Sequence, residues 1–215
     1  MRTIMRVTRA TWAYLKRPLK ISVLLGLAAA GTLVTLSRLP IVGTDVVHSK
    51  DEPVLQFPAP YGLRTDIRVG ATTMSVYNVH MPVQLRVEEK VTSAAFYREI
   101  RQRHQRRAEE YRALTAAVKA NSLPLLVAGD FNTSPAMGDN RDLLAATTDA
   151  AASGGDLYPS SWRLGGGVPR GWRVDWALVA NGVAVQRYDF VDSRGRSDHA
   201  AQDLLLAVPA GGGSR

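Results

Sequence analysis

Four short stretches of this chain hold the side chains from which hydrolytic sites are built: Asn78-Val79-His80, Gly129-Asp130-Phe131-Asn132, Arg173-Val174-Asp175-Trp176 and Ser197-Asp198-His199. A carboxylate and a carboxamide leaving one strand together can hold a hydrated cation, orient a water and hydrogen-bond a phosphoryl oxygen. Asp130 and Asn132 form such a pair. Asp-x-Asn is also an ordinary turn former, so its chemical meaning depends on other polar strand ends converging on it. Of the four histidines, His80 and His199 fall beside such ends, whereas His48 and His104 have no comparable context and read as surface residues. Asp175 lies inside an apolar run, where a carboxylate requires a partner.

The elements that must position these groups follow from periodicity. Residues 123–130 are apolar, too few for a helix, and end at a Gly, which predicts a buried strand delivering Asp130 and Asn132 to its C-terminal edge. Residues 70–82 alternate and are β-branched, a second strand that ends on Asn78, His80 and Pro82. Between them, residues 92–120 predict one long helix with Phe96, Ile100, Tyr111, Leu114 and Val118 inward and Asn121 as its C-cap. Residues 139–152 predict a shorter helix with Leu143 and Leu144 inward. Residues 42–68 read as irregular, with a short strand at 54–57. A loop over 154–171 carries Gly165-Gly166-Gly167, and Trp162 and Trp172 are expected to pack over the domain. Asn181-Gly182 between two alternating runs, 173–180 and 183–190, predicts a β-hairpin. A last strand is expected at 202–208, before a disordered tail at 209–215.

A chain of 215 residues, 46% hydrophobic and 21% charged, suits one sizeable globular domain with appendages. It has no cysteine, which excludes a disulfide framework and a thiolate zinc site, so a metal would be held by oxygen or imidazole. The net charge of +8 points towards polyanions only if it is concentrated. Arg98, Arg101, Arg103, Arg106, Arg107 and Arg112 sit among Glu99, Glu109 and Glu110 at helical spacing, the pattern of a solvated, salt-bridged face. No basic stripe interleaved with aromatics appears, which disfavours a nucleic-acid-binding module. Arg2, Arg6, Arg9, Lys16, Arg17 and Lys20 precede an uncharged run at 21–37. A bilayer core needs roughly 17 to 25 such residues, so the run predicts a transmembrane helix with the N-terminus cytoplasmic and the domain outside. Two alternatives stay open: a signal peptide cleaved near 28–31, giving a secreted protein, or a buried strand in the second half of the run. The expected division is 1–37 anchor, 38–208 domain and 209–215 tail.

Taken in this order, the four stretches resemble the endonuclease/exonuclease/phosphatase family of metal-dependent phosphoesterases, which includes DNase I-like nucleases, inositol phosphatases and sphingomyelinases. Ser37-Arg38-Leu39-Pro40-Ile41 resembles the segment after an early core strand of that family, and the likeness runs from about 36 to 208. The resemblance implies an α/β fold, a DNase I-like sandwich of two mostly antiparallel sheets with outer helices. It also implies hydrolysis of a phosphodiester or phosphomonoester with Mg²⁺ or Mn²⁺, which favour oxygen ligands and retained waters. By role, His199 would be the acid/base or phosphate-contacting histidine, supported by Asp175; Asp130 would position or deprotonate water. Asn132 would bind the scissile phosphoryl group, His80 would donate to a phosphate oxygen, Asn78 would contact substrate, and Asp198 with Asp130 would hold metal. The chain departs from the family at its N-terminal side. The places of the early Asn and the principal metal-binding Glu are taken by the basic, apolar segment, and Glu52 has no strand leading into it. That departure implies an incomplete sandwich with an open sheet edge and a weak metal site, and it leaves a non-catalytic phosphate binder as the alternative.

Overall fold

The computed structural model describes residues 3–8, 26–49, 61–84, 91–163 and 169–210. The main layer is a six-stranded sheet in the order β4 (Ile41–Val47), β5 (Gly62–Val69), β6 (Thr72–His80), β7 (Leu125–Asp130), β9 (Asp175–Ala180), β8 (Thr148–Asp149). All its pairings are antiparallel except β6 with β7, which are parallel because helix α1 (Ala94–Lys119) returns the chain between them. Ser93 caps α1, its Oγ accepting from the Phe96 N–H at 3.1 Å. The helix lays Tyr111, Leu114 and Val118 on one face of the sheet, against Tyr77, Val79, Leu125, Val127 and Leu178.

The other face meets the second layer. This is a three-stranded sheet in the order β1 (Thr3–Thr8), β11 (Ala201–Val208), β10 (Ala184–Val191), with a separate hairpin of β2 (Gly26–Ala30) and β3 (Leu33–Ser37) beside it. Met74, Val76, Leu126, Ala177 and Val179 of the main sheet pack there against Tyr188, Leu204, Leu206 and Val208. Ala28 and Leu33 of the hairpin pack on Leu63. With aliphatic and aromatic side chains closing both interfaces, β7 and β9 bury side chains on both faces, which is why their sequences are continuously apolar.

Several expectations are corrected. Residues 26–37 form a hairpin turning at Gly31, φ +56°, so the apolar run predicted as a transmembrane helix is β-structure over that stretch; residues 21–25 lie outside the described residues. Among the described residues no helix is long and apolar enough to cross a membrane. An open sheet edge is expected where the N-terminal strands are missing; the basic N-terminus instead supplies a strand, β1, which pairs with β11. Residues 42–68 hold β4 and β5 rather than irregular chain, and the strand expected at 54–57 lies outside the described residues. The helix expected at 139–152 is broken into α2 (Arg141–Leu144), β8 and a 3-10 turn at Ala150–Ser153, because Asp149 accepts from the Ala151 N–H at 3.1 Å and starts a new cap. α1 ends at Ala120 as C-cap, while Asn121 turns its side chain to the Leu123 N–H, 2.9 Å.

The Asn181-Gly182 turn forms with the expected positive φ angles, +56° and +81°, but joins no hairpin. Both edges of β9 are taken, by β7 and β8, so β10 crosses to the other sheet and pairs with β11. The Asn181 amide fixes this crossing, donating at 2.7 Å to the carbonyls of Asn121 and Leu123. Of the tail, Pro209 accepts a hydrogen bond from Thr72, and residues 211–215 lie outside the described residues.

Candidate active site

Strand register assembles the site. His80 pairs with Asp130 across β6 and β7, and Asp130 with Asp175 across β7 and β9. Directly paired residues project to the same side of a sheet, so the three side chains form one row on the face that meets the second layer. His199 reaches the row from the opposite layer, on the segment entering β11.

Asp175 is fully buried and accepts from His199, with Nδ1 and Oδ2 2.7 Å apart. A carboxylate at Nδ1 places the ring's proton there and turns Nε2 outward. Nε2 of His199 lies 3.8 Å from Oδ2 of Asp130, and Nε2 of His80 lies 3.9 Å from the same oxygen. Both gaps exceed a hydrogen bond and leave the two imidazoles and the carboxylate around a common space. Asp130 is 7% exposed and His80 47%, so this space opens to solvent on the His80 side.

Backbone geometry holds Asp130 in place. Gly129 has φ +152°, and a Cβ there would stand 1.9 Å from the Val79 carbonyl oxygen; the chain passes β6 too closely for any side chain. Asn132 adopts φ +46°, a left-handed conformation that Asn tolerates, and its N–H donates to Oδ1 of Asp130 at 2.8 Å. Its Nδ2 donates to the Met81 carbonyl at 2.8 Å, and the Met81 N–H donates to the Asp130 carbonyl at 2.8 Å. The loops after β6 and β7 are therefore stitched to each other. Phe131 is fully buried; its carbonyl accepts from Tyr111 Oη at 2.6 Å, and Trp176 Nε1 donates to the Thr133 carbonyl at 2.8 Å.

The His199 side is set by Ser197, Trp162 and one residue that the sequence does not single out, Ser161. Ser197 Oγ accepts from the His199 N–H at 3.0 Å. Ser161, fully buried, accepts on Oγ from the N–H groups of Val174 and Asp175, both at 3.0 Å, while its carbonyl accepts from the Ala200 N–H at 2.7 Å. One serine thus ties Asp175 to the segment bearing His199, and nothing in its local sequence distinguishes it from a loop serine. Trp162 packs beside the ring of His199, centroids 6.4 Å apart, and its Nε1 donates to Oδ2 of Asp198 at 2.9 Å. Burial pushes the Asp198 carboxyl up, but the indole hydrogen bond and the neighbouring His199 outweigh it and hold it below the usual carboxylate range. Trp162 and Trp172 do pack together, centroids 5.6 Å apart.

Of the seven residues singled out from sequence, His80, Asp130, Asn132, Asp175 and His199 converge here, with Asp198 one residue from His199 and bound to Trp162. Asn78 lies one step further down β6, its Nδ2 donating to the Val34 carbonyl of the hairpin at 3.1 Å. One ligand atom each from Asp130, Asp175 and His199 lie within 4.8 Å of one another, the spacing of a metal-binding group. The 2.7 Å contact between Asp175 and Nδ1 commits those two groups to each other, so a hard divalent ion fits best as one bound largely through water to Asp130. The first 44 residues contain no Asp or Glu, so no acid from that segment can complete the ligand set; Glu52 lies outside the described residues.

With this geometry stands the comparison with known proteins. The sequence model of the endonuclease/exonuclease/phosphatase family matches residues 14–199, and the chain belongs to that family. Members are typically divalent-metal dependent. No curated protein matches the chain. Among solved structures it is similar to an endonuclease/exonuclease/phosphatase family protein from Bacteroides thetaiotaomicron, at 14% identity and TM-score 0.57, over 80% of this chain and 66% of that one. It is similar to a mannosyl-6-phosphatase from the same organism, at 14% identity and TM-score 0.57, over 80% and 69%. It is also similar to D. rerio TDP2 complexed with single-strand DNA product, at 15% identity and TM-score 0.62, over 95% and 85%. At these identities the likeness establishes the DNase I-like fold. The chain spans just under two thirds of the length of the first of these relatives.

Proposed function

We propose that this protein hydrolyses a phosphate ester, a phosphodiester or a phosphomonoester, by attack of a water positioned at Asp130. The observation that carries this reading is the row His80, Asp130, Asp175, with the His199 imidazole backed at 2.7 Å by a buried carboxylate and turned towards Asp130.

In this mechanism Asp130 orients the attacking water through Oδ2 and takes its proton. Its Oδ1 is occupied by the Asn132 N–H, which leaves Oδ2 as the working oxygen. His80 donates through Nε2 to a phosphoryl oxygen as negative charge builds on it, and protonated His199 passes its Nε2 proton to the leaving-group oxygen as the ester P–O bond breaks. Asp175 holds the Nδ1 proton and the orientation of His199 and stabilises the imidazolium, the form in which Nε2 also carries a proton to give. Asn132 uses one proton of Nδ2 on the Met81 carbonyl and has a second for the scissile phosphoryl group. Asp130 would hold a divalent ion, Mg²⁺ or Mn²⁺, largely through water, and the ion would polarise a phosphoryl oxygen; Asp198, whose Oδ2 accepts from Trp162, stands outside the group of Asp130, Asp175 and His199. Asn78, whose Nδ2 is tied to the hairpin, would reach substrate only through the rest of its amide.

The mannosyl-6-phosphatase and the TDP2–DNA complex support phosphorylated substrates in general and leave mono- and diesters both open. Membrane attachment and compartment form no part of the proposal, since the apolar run contributes a hairpin to the domain. A second reading, a phosphate binder without turnover, is favoured by one observation, the lack of any acid in the first 44 residues. Hydrolysis of 4-nitrophenyl phosphate and bis(4-nitrophenyl) phosphate with Mg²⁺, with Mn²⁺ and with chelator separates the two. Metal-dependent release of nitrophenol supports the enzyme; saturable binding of inorganic phosphate with no release supports the binder.

A further inference from the structure

Helix α1 lies on the face of the main sheet away from the row of site residues, yet it holds a buried arginine that the proposed chemistry does not use. Arg107 is 1% exposed and sits under the two loops that carry His80 and Asp130. Its Nη1 donates to the carbonyl of Pro82, two residues beyond His80. Its Nη2 donates at 2.7 Å to Oδ2 of Asp139, and the same oxygen accepts from Thr133 Oγ1 at 3.1 Å. Thr133 directly follows Asn132. One guanidinium therefore bridges the exit of β6 and, through Asp139, the exit of β7. One helical turn on, Tyr111 stacks under the guanidinium, 5.5 Å from Cζ to ring centroid, and donates to the Phe131 carbonyl.

We propose that Arg107 is a positioning residue that sets the spacing of His80 from Asp130 and Asn132 without touching substrate. The proposal rests on the hydrolase reading for its consequence in turnover, and on the hydrogen-bond geometry alone for its consequence in structure. A rigid planar fork suits this task, because it fixes two acceptors from separate loops relative to one plane, which a point charge does less well. The 3.9 Å separation of Nε2 of His80 from Oδ2 of Asp130 is the distance at stake. Misplacing a reacting group by an ångström can cost about a hundredfold in rate.

The same helix supplies a control. Glu110, 2% exposed, accepts from the Ser49 N–H at 3.0 and 3.2 Å, a buried clamp that ties α1 to the segment just after β4. The experiment compares wild type, Arg107→Met, Arg107→Lys, Asp139→Asn and Glu110→Gln. For each, kcat and KM on bis(4-nitrophenyl) phosphate, the melting temperature, and amide hydrogen exchange over 78–84 and 128–134 are measured.

The expected result is a kcat about tenfold or more lower in Arg107→Met, with KM within about threefold, partial recovery in Arg107→Lys, and faster exchange in both segments together. Asp139→Asn should do the same from the other end of the bridge, which keeps the test open should Arg107→Met not fold. Glu110→Gln should lower the melting temperature yet leave kcat and both segments unchanged. Equal kcat loss in Glu110→Gln at equal loss of stability would overturn the proposal, as would faster exchange in only one segment of the Arg107 and Asp139 variants. If wild type shows no turnover, the hydrolase reading fails by itself, and joint or separate loosening of the two segments still decides the role of Arg107.

Discussion

At the residue scale the chemistry rests on Asp175, a carboxylate with no solvent exposure whose partner is an imidazole from the other layer. Asp175→Asn keeps the shape but lets the amide accept or donate, so the tautomer of His199 is no longer fixed. The expected loss in kcat/KM is about 10²- to 10⁴-fold with the melting temperature nearly unchanged; an unaltered rate would remove the dyad from the mechanism. Asp139 makes a different, pH-dependent contribution. Burial pushes its carboxyl up, but the Arg107 guanidinium outweighs this and holds it below the usual carboxylate range. A folded pKa below the unfolded one gives stability that is present above the unfolded pKa and is lost as pH falls through the folded one. Denaturant unfolding should therefore show Asp139→Asn less stable than wild type by about 1–3 kcal/mol at pH 7. The gap should begin to narrow below about pH 4, the unfolded value, and close only once pH has fallen through the still lower folded one. A gap that stays constant down to pH 2 would separate Asp139 from its charge.

At the scale of elements, what was legible in the sequence was whatever depends on local pattern. The long helix, the strands ending at His80 and Asp130, and the last strand follow from periodicity and from Gly and Pro punctuation, and the four motifs mark the site because two end strands and two lead into them. What escaped depends on partners distant in the chain. β1 reads as a basic flank until β11 is seen beside it. Residues 26–37 belong to an apolar run, 21–37, long enough for a membrane, and fold as a hairpin whose Ala28 and Leu33 pack on Leu63. Asn181-Gly182 is a true tight turn, but whether two strands pair after a turn depends on free edges, and β9 has none. Ser161 and Arg107 were illegible as site residues because their roles lie in which loops they join. The close passage of β6 and β7 makes an element-scale prediction. Gly129→Ala forces a methyl group onto the Val79 carbonyl and should cost about 4 kcal/mol or more in urea unfolding, or prevent folding. A loss under about 1 kcal/mol would mean the parallel pair yields there, and the placement of Asp130 with it.

For the molecule as a whole, the sandwich is a device for bringing two sheets' strand ends to one point. The main sheet contributes the row of His80, Asp130 and Asp175, the smaller sheet contributes His199, and helix α1 braces the loops from behind. Family membership and fold agree with this arrangement, and the segment that precedes the hairpin carries no acid. A dyad and an acid this well placed, with a thin ligand set for metal, predict an enzyme that needs divalent ion at high concentration. The most direct measurement is bis(4-nitrophenyl) phosphate hydrolysis by wild type, Asp130→Ala and His199→Ala across a titration of Mg²⁺ and of Mn²⁺, with a chelator control. The account predicts turnover that rises with metal, vanishes with chelator and falls by at least about a hundredfold in each variant. No turnover by the folded wild type at saturating metal, or turnover that both variants retain, would contradict it.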